Sequence, residues 1–500
     1  MSASESLDEQ IGGSGLDARG VTVAGLQRAM SAGSLTSADL TAFYLGRIER
    51  LNPELHAVIA VSPEALAEAR ASDLARSAGG ARGPLEGVPV LVKDNIAAQG
   101  MPTTAGSPAL AGAESADAFL VGRLRAAGAV IIGKANLSEW ANFRSPHSTS
   151  GWSTLGGQTA NPHGRGRNPS GSSSGSAAAL AAGLAPLAIG SETDGSVLSP
   201  SGACGVVGVK PTLGLVSRSG IVPISAAQDT AGPMARCVAD ATALLSVIAG
   251  PDPGDPATGG QAGPVPDYTA FLDPGALDGT RVGVWRQGSA EAGPATVAVL
   301  DAAVTRLRER GAEMIDPVDL PDADKISEPE HTALVHEFKH DLEAYLGTLG
   351  GDHPASLADL ITFNTDHRSQ VLVHFGQEWF EQAAATSGSP ADPQLVAARG
   401  EARRLACTAL DHALGTHRLD AVVALTGAPA WLTDHVLGDH HVFGTSSPCA
   451  VSGYPAISVP AGRVSGLPVG LTFMGPAWSE PALIALAHAF EQATWSLWPR

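Results

Sequence analysis

Three segments of the chain carry side chains that could together cleave an amide bond. They contain Lys93, at the end of the apolar run 88–92, and two serines in Gly/Ser-rich stretches, Ser172 and Ser196. Amide hydrolysis needs an activated nucleophile, a base that later acts as an acid, and hydrogen-bond donors for the oxyanion. A serine assisted by a lysine meets the first two needs. The residue types therefore predict nucleophilic catalysis by serine.

Lys93 is the candidate base. Residues 88–92 predict a short buried strand, so Lys93 would lie at its end, away from water. Loss of hydration disfavours the charged ammonium and lowers the lysine pKa, which produces a neutral amine that can accept a proton. On its own, the segment would favour a lysine that pairs with a carboxylate or extends to solvent.

The two serines lie in loops whose composition suits a reacting centre. Residues 170–176 place several hydroxyl groups between glycines, as a flexible linker also does, but the helix predicted to follow favours an ordered, capped loop. Residues 190–196 read GSETDGS, and Gly195 allows successive N–H groups to point at one anion. Ser196 follows those donors directly, so a nucleophile and its oxyanion hole would lie together.

Two short motifs suggest other functions but lack the required context. Residues 171–175 match GxSxG, which would make Ser173 the nucleophile of an α/β-hydrolase elbow, but no core strand is predicted directly before them. Residues 128–134 match the GxxxxGK pattern of phosphate-binding loops. Their interior is apolar and Ala135 replaces the hydroxyl residue that would bind magnesium, so a strand that ends in a turn is favoured.

A group of acidic and histidine residues late in the chain has the chemistry of metal ligands. The spacing is loose, no third ligand group stands out, and such residues are also common on solvated loops, so no metal is predicted there. The members are Asp434, His435, Asp439, His440 and His441.

Helical periodicity and apolar runs alternate along most of the chain, which indicates α/β layering. Predicted helices cover 21–51 (as two), 63–78, 118–127, 177–183 and 481–494, and predicted strands cover 88–92, 129–132, 187–189, 206–209, 281–285, 422–425 and 456–459. Residues 1–20 are polar and predict a loose arm, and 290–415 predict a long helical region. Residues 252–267 resemble a linker, but strands are predicted on both sides of it, so 21–500 is interpreted as one domain.

The bulk composition argues against several classes of protein. The 500 residues include 31 basic and 50 acidic side chains, and the net charge of −19 disfavours nucleic acid as a partner. Neither a secretory signal nor a membrane-spanning run is recognised, so a cytoplasmic location without membrane attachment is predicted. The cysteines lack the spacing of a metal site or a disulfide framework. They are Cys204, Cys237, Cys407 and Cys449.

Four longer motifs follow one another in a fixed order. They are GVPVLVKDN at 87–95, SGSSSGS at 170–176, GSETDGS at 190–196 and CGVVGVKPT at 204–212. In this order they resemble the amidase signature family, and the likeness continues through DTAGPM at 229–234 and GLPVG at 466–470. The resemblance spans most of the chain and implies an α/β fold with a large mixed β-sheet core covered by helices on both faces.

The resemblance also implies a mechanism. In this family pattern Lys93, Ser172 and Ser196 form the catalytic triad, and Ser172, in a cis peptide, relays the proton of Ser196 to Lys93. The oxyanion hole would consist of the backbone N–H groups of Thr193, Asp194, Gly195 and Ser196. Water would then cleave an acyl-enzyme, and neither a cofactor nor a metal is implied.

Five further stretches, residues 137–144, 191–196, 225–234, 337–342 and 473–481, resemble the peptide amidases of bacteria, members of this family that remove the C-terminal amide of peptides. Asp194 stands where many members have glycine, and Leu198 and Ser199 stand where many have an arginine. Without that cation a substrate carboxylate would lack a partner, so a neutral peptide or small-molecule amide is the predicted substrate. The alternatives are the A subunit of an amidotransferase, an amidase for other small or aryl amides, and an inactive binding protein. The sequence gives no oligomeric state.

Overall fold

An eleven-stranded mixed β-sheet forms the centre of the computed structural model, which describes residues 10–11, 16–17, 20–260 and 263–494. Three two-stranded sheets contain the remaining strands. In chain order the strands are β1 (Gln10–Ile11), β2 (Leu16–Asp17), β3 (Val58–Val61), β4 (Pro89–Lys93), β5 (Gly112–Glu114), β6 (Val130–Ala135), β7 (Trp152–Ser153), β8 (Gly157–Gln158), β9 (Leu187–Glu192), β10 (Val207–Lys210), β11 (Thr230–Ala235), β12 (Arg281–Trp285), β13 (Glu313–Val318), β14 (Gly350–Asp352), β15 (Ala421–Leu425), β16 (Ala456–Val464) and β17 (Leu467–Met474).

Fifteen α-helices occur in the described part of the chain. They are α1 (Val23–Ser31), α2 (Ser37–Leu55), α3 (Ala65–Ser77), α4 (Phe119–Ala126), α5 (Ser174–Ala181), α6 (Leu198–Cys204), α7 (Val238–Ile248), α8 (Pro294–Glu309), α9 (Ser327–Leu346), α10 (Leu357–Asp366), α11 (Arg368–Val371), α12 (Glu378–Ala384), α13 (Pro393–His417), α14 (Ser447–Ser452) and α15 (Glu480–Thr494). All residues of β4, β9 and β17 are buried. Because successive side chains of a strand point to opposite faces, both faces of the sheet are covered there.

The order of the strands places the ends of β4 and β9 side by side. Across the sheet the order is β13-β12-β15-β17-β16-β10-β11-β9-β4-β6-β3. Pairing is parallel within β13-β12-β15 and within β9-β4-β6, and antiparallel elsewhere. Since β4 and β9 are parallel neighbours, Lys93 and Glu192 end their strands at the same edge of the sheet.

The predicted α/β fold with a large mixed sheet is confirmed, with several local differences. Strand β13 interrupts the predicted helical region 290–415. It was not predicted because its sequence EMIDPV contains no continuous apolar run, and its residues are mostly half-exposed. Strands β3, β11 and β17 of the large sheet were not predicted either. Helix α6 lies in a Gly/Ser-rich stretch that favours a loop, and Glu192 stabilises its start by accepting two backbone N–H groups.

Strands from both sides of residues 252–267 belong to the same sheet. This arrangement supports a single domain over 21–500, which stays a prediction. Most of the predicted arm 1–20 lies outside the described residues, and of its described part β1 and β2 pair as antiparallel strands. Within the described ranges, no helix combines the length and the apolar character that crossing a bilayer requires.

Candidate active site

Lys93 and Ser172 are in contact in a buried site. Lys93 ends β4, and its Nζ lies 2.7 Å from Oγ of Ser172. Both side chains are completely buried, and the peptide bond between Gly171 and Ser172 is cis. Burial lowers the pKa of Lys93 to about 7, although the charges of Asp229 and Glu192 oppose this shift. A neutral amine is therefore available at neutral pH.

Ser191 provides the other contacts of the lysine amine. Its Oγ lies 2.9 Å from Lys93 Nζ, and its carbonyl oxygen lies 3.2 Å from the same atom. Asn95 donates an Nδ2–H to this Oγ over 2.9 Å, which helps to fix the hydroxyl. A neutral amine has two N–H groups and one lone pair. When the two N–H groups point at Ser191, the lone pair faces Oγ of Ser172, and the amine can accept a proton from that side.

The loop that carries Ser196 leaves β9 and turns at Gly195. Gly195 has a φ of +76°, and a Cβ there would come within 2.8 Å of the Oγ atoms of Ser199 and Ser446, so glycine is required. In the part of the chain that the structure describes, the backbone N–H groups of Asp194, Gly195 and Ser196 have no acceptor within the protein. Successive free donors beside a serine can bind an anion.

Backbone contacts fix the position of Ser196. Its carbonyl oxygen accepts the N–H of Ser173 at 3.0 Å, which connects the loop of Ser196 to the loop of Ser172. The N–H groups of Val197 and Leu198 donate to Oε2 of the buried Glu192 at 2.8 and 3.0 Å. The side chain after Gly195 is thereby held at the edge of the sheet, and Ser196 keeps 9% of its surface exposed.

Gln228 connects the loop that carries Ser196 to α9 and α13. Its Nε2 donates to the carbonyl oxygen of Thr193 at 3.0 Å and to Oε1 of Glu330 at 2.5 Å. Its Oε1 accepts from Nη1 of Arg399 at 2.7 Å. Thr193 also donates its Oγ1–H to Asp229 over 2.5 Å. The loop is therefore held through both its backbone and its side chains.

Asp194 adds a carboxylate to this network. Its Oδ2 accepts from Oγ of Ser447 at 2.6 Å. Burial, followed by the nearby charge of Asp194, raises the pKa of Glu330 well above its ordinary value. A Glu330 carboxyl that keeps its proton can donate to Asp194 instead of repelling it. In the loop after β9, Asp194 therefore carries the carboxylate of this pair, and Glu330 serves as the proton donor.

The GxSxG and GxxxxGK motifs have structural roles. Ser173 donates to the carbonyl oxygen of Ser191 at 3.1 Å and accepts its N–H at 3.2 Å, and no strand directly precedes it. The GxxxxGK motif lies largely in β6, where the buried Lys134 lies 3.3 Å from Asp94. Neither motif forms the site that its pattern suggests.

The histidine group late in the chain makes contacts within the protein. His435 stacks on His374 with ring centres 4.1 Å apart, His440 pairs with Asp434 at 3.0 Å, and His441 packs edge-on against a tryptophan. Among the described residues, no group of three or more His, Cys, Asp or Glu side chains is arranged to hold a metal ion.

A model of the amidase family matches residues 39–484, which include every segment of this site. The chain belongs to this family. A probable amidase of Arabidopsis thaliana is 42% identical to it over 485 residues, covering 95% of this chain and 90% of the relative. The enzyme is therefore an amidase, and the predicted family and enzyme class are confirmed.

Two further comparisons bear on the kind of amidase. A peptide amidase whose crystal structure contains the competitive inhibitor chymostatin is 52% identical in sequence to this amidase. The two structures superpose with a TM-score of 0.92, and the match covers 95% of this amidase and 98% of that chain. The A subunit of the glutamyl-tRNA(Gln) amidotransferase of Symbiobacterium thermophilum is 36% identical over 487 residues, 95% of this chain and 97% of the relative. The predicted resemblance to peptide amidases is confirmed, whereas the substrate and the roles of individual residues stay proposals.

Four residues of the site were not found from the sequence. Ser191 and Asn95 lie inside quoted motifs, and a search for polar partners of a buried lysine would have selected them. Gln228 directly precedes the DTAGPM motif but carries no chemical signal of its own. Glu330 lies on a distant helix, and no spacing links it to the loop that carries Ser196.

We expect Gln228→Leu to misplace the loop that carries Ser196. Burying unpaired groups should cost about 1–3 kcal/mol of unfolding free energy. Shifted oxyanion donors should also lower kcat about 10- to 100-fold with little change in KM. Gln377→Leu is the matched control, because Gln377 is also buried but bonds to Asn364 and Thr365. Ammonia release and denaturant unfolding check both variants; an equal kcat for the two would refute the positioning role.

Proposed function

We propose that this amidase hydrolyses the C-terminal carboxamide of peptides to the free acid and ammonia. Ser196 is the nucleophile, Ser172 the proton relay and Lys93 the base. The observation that carries the proposal is the 2.7 Å contact between Ser172 and a buried lysine whose other contacts go to Ser191. The similarity to peptide amidases supports the substrate class.

The reaction begins when Oγ of Ser196 attacks the carbonyl carbon of the amide. The proton of Ser196 passes to Oγ of Ser172, whose own proton passes to Nζ of Lys93. Backbone N–H groups stabilise the oxyanion, namely those of Thr193, Asp194, Gly195 and Ser196. The protons then return along the same route to the leaving nitrogen, the C–N bond breaks, and ammonia departs.

Water releases the acyl group in the second half of the reaction. It attacks the ester of Ser196 and gives its proton to Lys93 through Ser172, and the returning proton restores the serine hydroxyl. The same base thus acts twice, and each half of the cycle ends with Lys93 neutral. A lysine pKa of about 7 suits both directions of transfer.

The charge near the loop favours a neutral amide. Leu198 and Ser199 offer no cation, and Asp194 adds a carboxylate. A substrate carboxylate would lose water here without a partner, which costs several kcal/mol. Asp194 can instead accept an N–H group from the backbone of a peptide substrate.

Ser196→Ala should abolish turnover, by at least about 10⁴-fold, because the hydroxyl forms the covalent bond. The unfolding free energy should change by no more than about 0.5 kcal/mol, since the substitution removes one hydroxyl at a partly accessible position. A fluorophosphonate probe should label Ser196 in the native enzyme and leave Ser196→Ala unlabelled. A label found by mass spectrometry on Ser173 would overturn the assignment.

Activity should rise about tenfold per pH unit below pH 7 and level off above it. The reason is that the neutral, proton-accepting fraction of Lys93 grows until the pH exceeds its pKa of about 7. Lys93→Arg should be inactive, because guanidinium stays protonated. Lys134→Arg is the control for a second buried lysine and should keep the midpoint of the profile. A flat profile with an active Lys93→Arg would remove Lys93 from the mechanism.

The native enzyme should prefer a peptide amide over a carboxylate-bearing amide such as malonamate by at least about 100-fold, the equivalent of roughly 3 kcal/mol. Asp194→Asn should narrow this preference, since one negative charge is removed. Asp359→Asn, in the first turn of α10, is the matched control and should leave it unchanged. The measurement is kcat/KM of the native enzyme and of both variants for each of the two substrates. If the native enzyme prefers malonamate, the peptide-amide proposal is wrong and the enzyme is an amidase for small carboxylate-bearing amides.

A further inference from the structure

The chain turns just before Ser172, and the side chain of Asn168 closes this turn. Oδ1 of Asn168 accepts the backbone N–H of Ser170 at 2.7 Å. An asparagine that binds the N–H two residues later replaces a backbone hydrogen bond of a turn. Pro169, between the two residues, has a fixed φ and no N–H of its own. The turn therefore depends on the side chain of Asn168.

Ser170 has a backbone conformation that needs support from its neighbours. Its φ is +62°, in the left-handed region that residues with a Cβ disfavour. Its N–H is bound by Asn168, and its carbonyl oxygen accepts from Oγ of Ser174 at 2.6 Å. Without the first of these bonds Ser170 can relax toward a more favourable φ. The chain would then enter Ser172, two residues later, in a different direction.

The other end of the Asn168 carboxamide binds a distant part of the chain. Its Nδ2 donates to the carbonyl oxygen of Ser150 at 2.9 Å and lies 3.5 Å from Oδ1 of Asp439. Asp439 in turn accepts the backbone N–H of Ser150 at 3.0 Å and the indole N–H of Trp431 at 3.3 Å. Only a side chain that both accepts and donates can join the turn to this group.

The backbone of Asn168 is held as firmly as its side chain. Its N–H donates to the carbonyl oxygen of Trp431 at 2.8 Å, and its carbonyl oxygen accepts from Nδ2 of Asn161 at 3.2 Å. The residue is completely buried. Because backbone and carboxamide are both bonded within the protein, Oδ1 presents an acceptor of fixed position to Ser170.

Other hydrogen bonds hold the end of the loop that contains Ser172. The carbonyl oxygen of Ser172 accepts the N–H of Ser138 at 3.1 Å, and the next residue, Ser173, donates its N–H to Ser196. Asn168 holds the beginning of the same loop. The 2.7 Å distance between Oγ of Ser172 and Nζ of Lys93 therefore depends on both ends being fixed.

We propose that Asn168 is a positioning residue that keeps Oγ of Ser172 within hydrogen-bond distance of Lys93. This inference rests on the proposed function, in which Ser172 relays protons. Asn168 acts through the backbone of Ser170, since its hydrogen bonds go to none of the proposed reacting groups. A displacement of about 1 Å in a catalytic group can slow a reaction roughly 100-fold.

Asn168→Ala should lower kcat for a peptide amide about 10- to 100-fold and change KM less than about twofold. The p-nitrophenyl ester of the same peptide should lose at least about fivefold less, because its leaving group departs without the proton that an amide nitrogen needs. Partial unfolding would lower both rates equally. Asn364→Ala is the matched control: Asn364 is also completely buried but bonds to Gln377, so the native amide-to-ester ratio should remain.

A double-mutant cycle with Ser172→Ala tests whether Asn168 acts through the relay. The measured quantity is the rate constant of fluorophosphonate labelling at Ser196, followed by mass spectrometry because turnover without the relay is slow. Asn168→Ala should slow labelling at least about tenfold in the native background. In the Ser172→Ala background it should slow labelling less than about twofold, since no relay is left to misplace.

Asn168→Ser provides a second variant if Asn168→Ala does not fold. Its hydroxyl can accept the N–H of Ser170, but it loses the bond to Ser150, so the same pattern should appear with a loss of about 3- to 10-fold. Equal slowing of labelling in both backgrounds would overturn the proposal, as would an unchanged amide-to-ester ratio.

Failure of the proposed function is separately visible in the same cycle. If Ser172→Ala alone slows labelling less than about tenfold, Ser172 is not the relay, and the proposed mechanism and the role of Asn168 are rejected together. A large loss in Ser172→Ala combined with additive effects rejects the role of Asn168 alone.

Discussion

The proposed chemistry depends on a lysine that is buried without an ion-pair partner. Among the described residues, Lys93 Nζ contacts hydroxyl and carbonyl oxygens, and no carboxylate pairs with it. Lys134 shows the contrast: it is equally buried, but it lies 3.3 Å from Asp94, which compensates its charge. Lys93 combines this lack of a paired carboxylate with a pKa of about 7 and a contact with Ser172, so its place at the end of β4 determines where the proposed relay and nucleophile must lie.

Hydrogen bonding elsewhere keeps the neighbouring carboxylates away from the lysine. Glu192 is held by the N–H groups at the start of α6, and Asp229 by the N–H groups of Ile224 and Ser225 and the hydroxyl of Thr193. The same contacts shape the loop that carries Ser196. A displaced carboxylate could pair with Lys93, raise its pKa and abolish the base, so loop geometry and lysine pKa are two results of one set of hydrogen bonds.

The sequence predicts the local part of this arrangement and not the distant part. The apolar run before Lys93 and the glycine before Ser196 are sufficient to predict a buried strand and a turn with free N–H donors. Helix α6 was missed because its residues favour a loop, and a carboxylate five residues away in the chain caps it. The contacts of Glu330 and Arg399 with Gln228 join helices more than 100 residues from the loop, and periodicity within one segment contains no information on such pairs.

The local and distant parts of the site differ in this way because separate parts of the chain supply the proposed reacting groups and the contacts around them. The proposed reacting groups come from β4, the loop before α5 and the loop between β9 and α6, whereas contacts that hold the last of these loops come from α9 and α13 through Gln228. Gln228 joins the two parts, since it bonds to the loop on one side and to Arg399 on the other. Substitutions in the later part can therefore shift the loop of Ser196 without altering the contact between Lys93 and Ser172. Relatives named for different reactions can share one catalytic edge of the sheet for this reason.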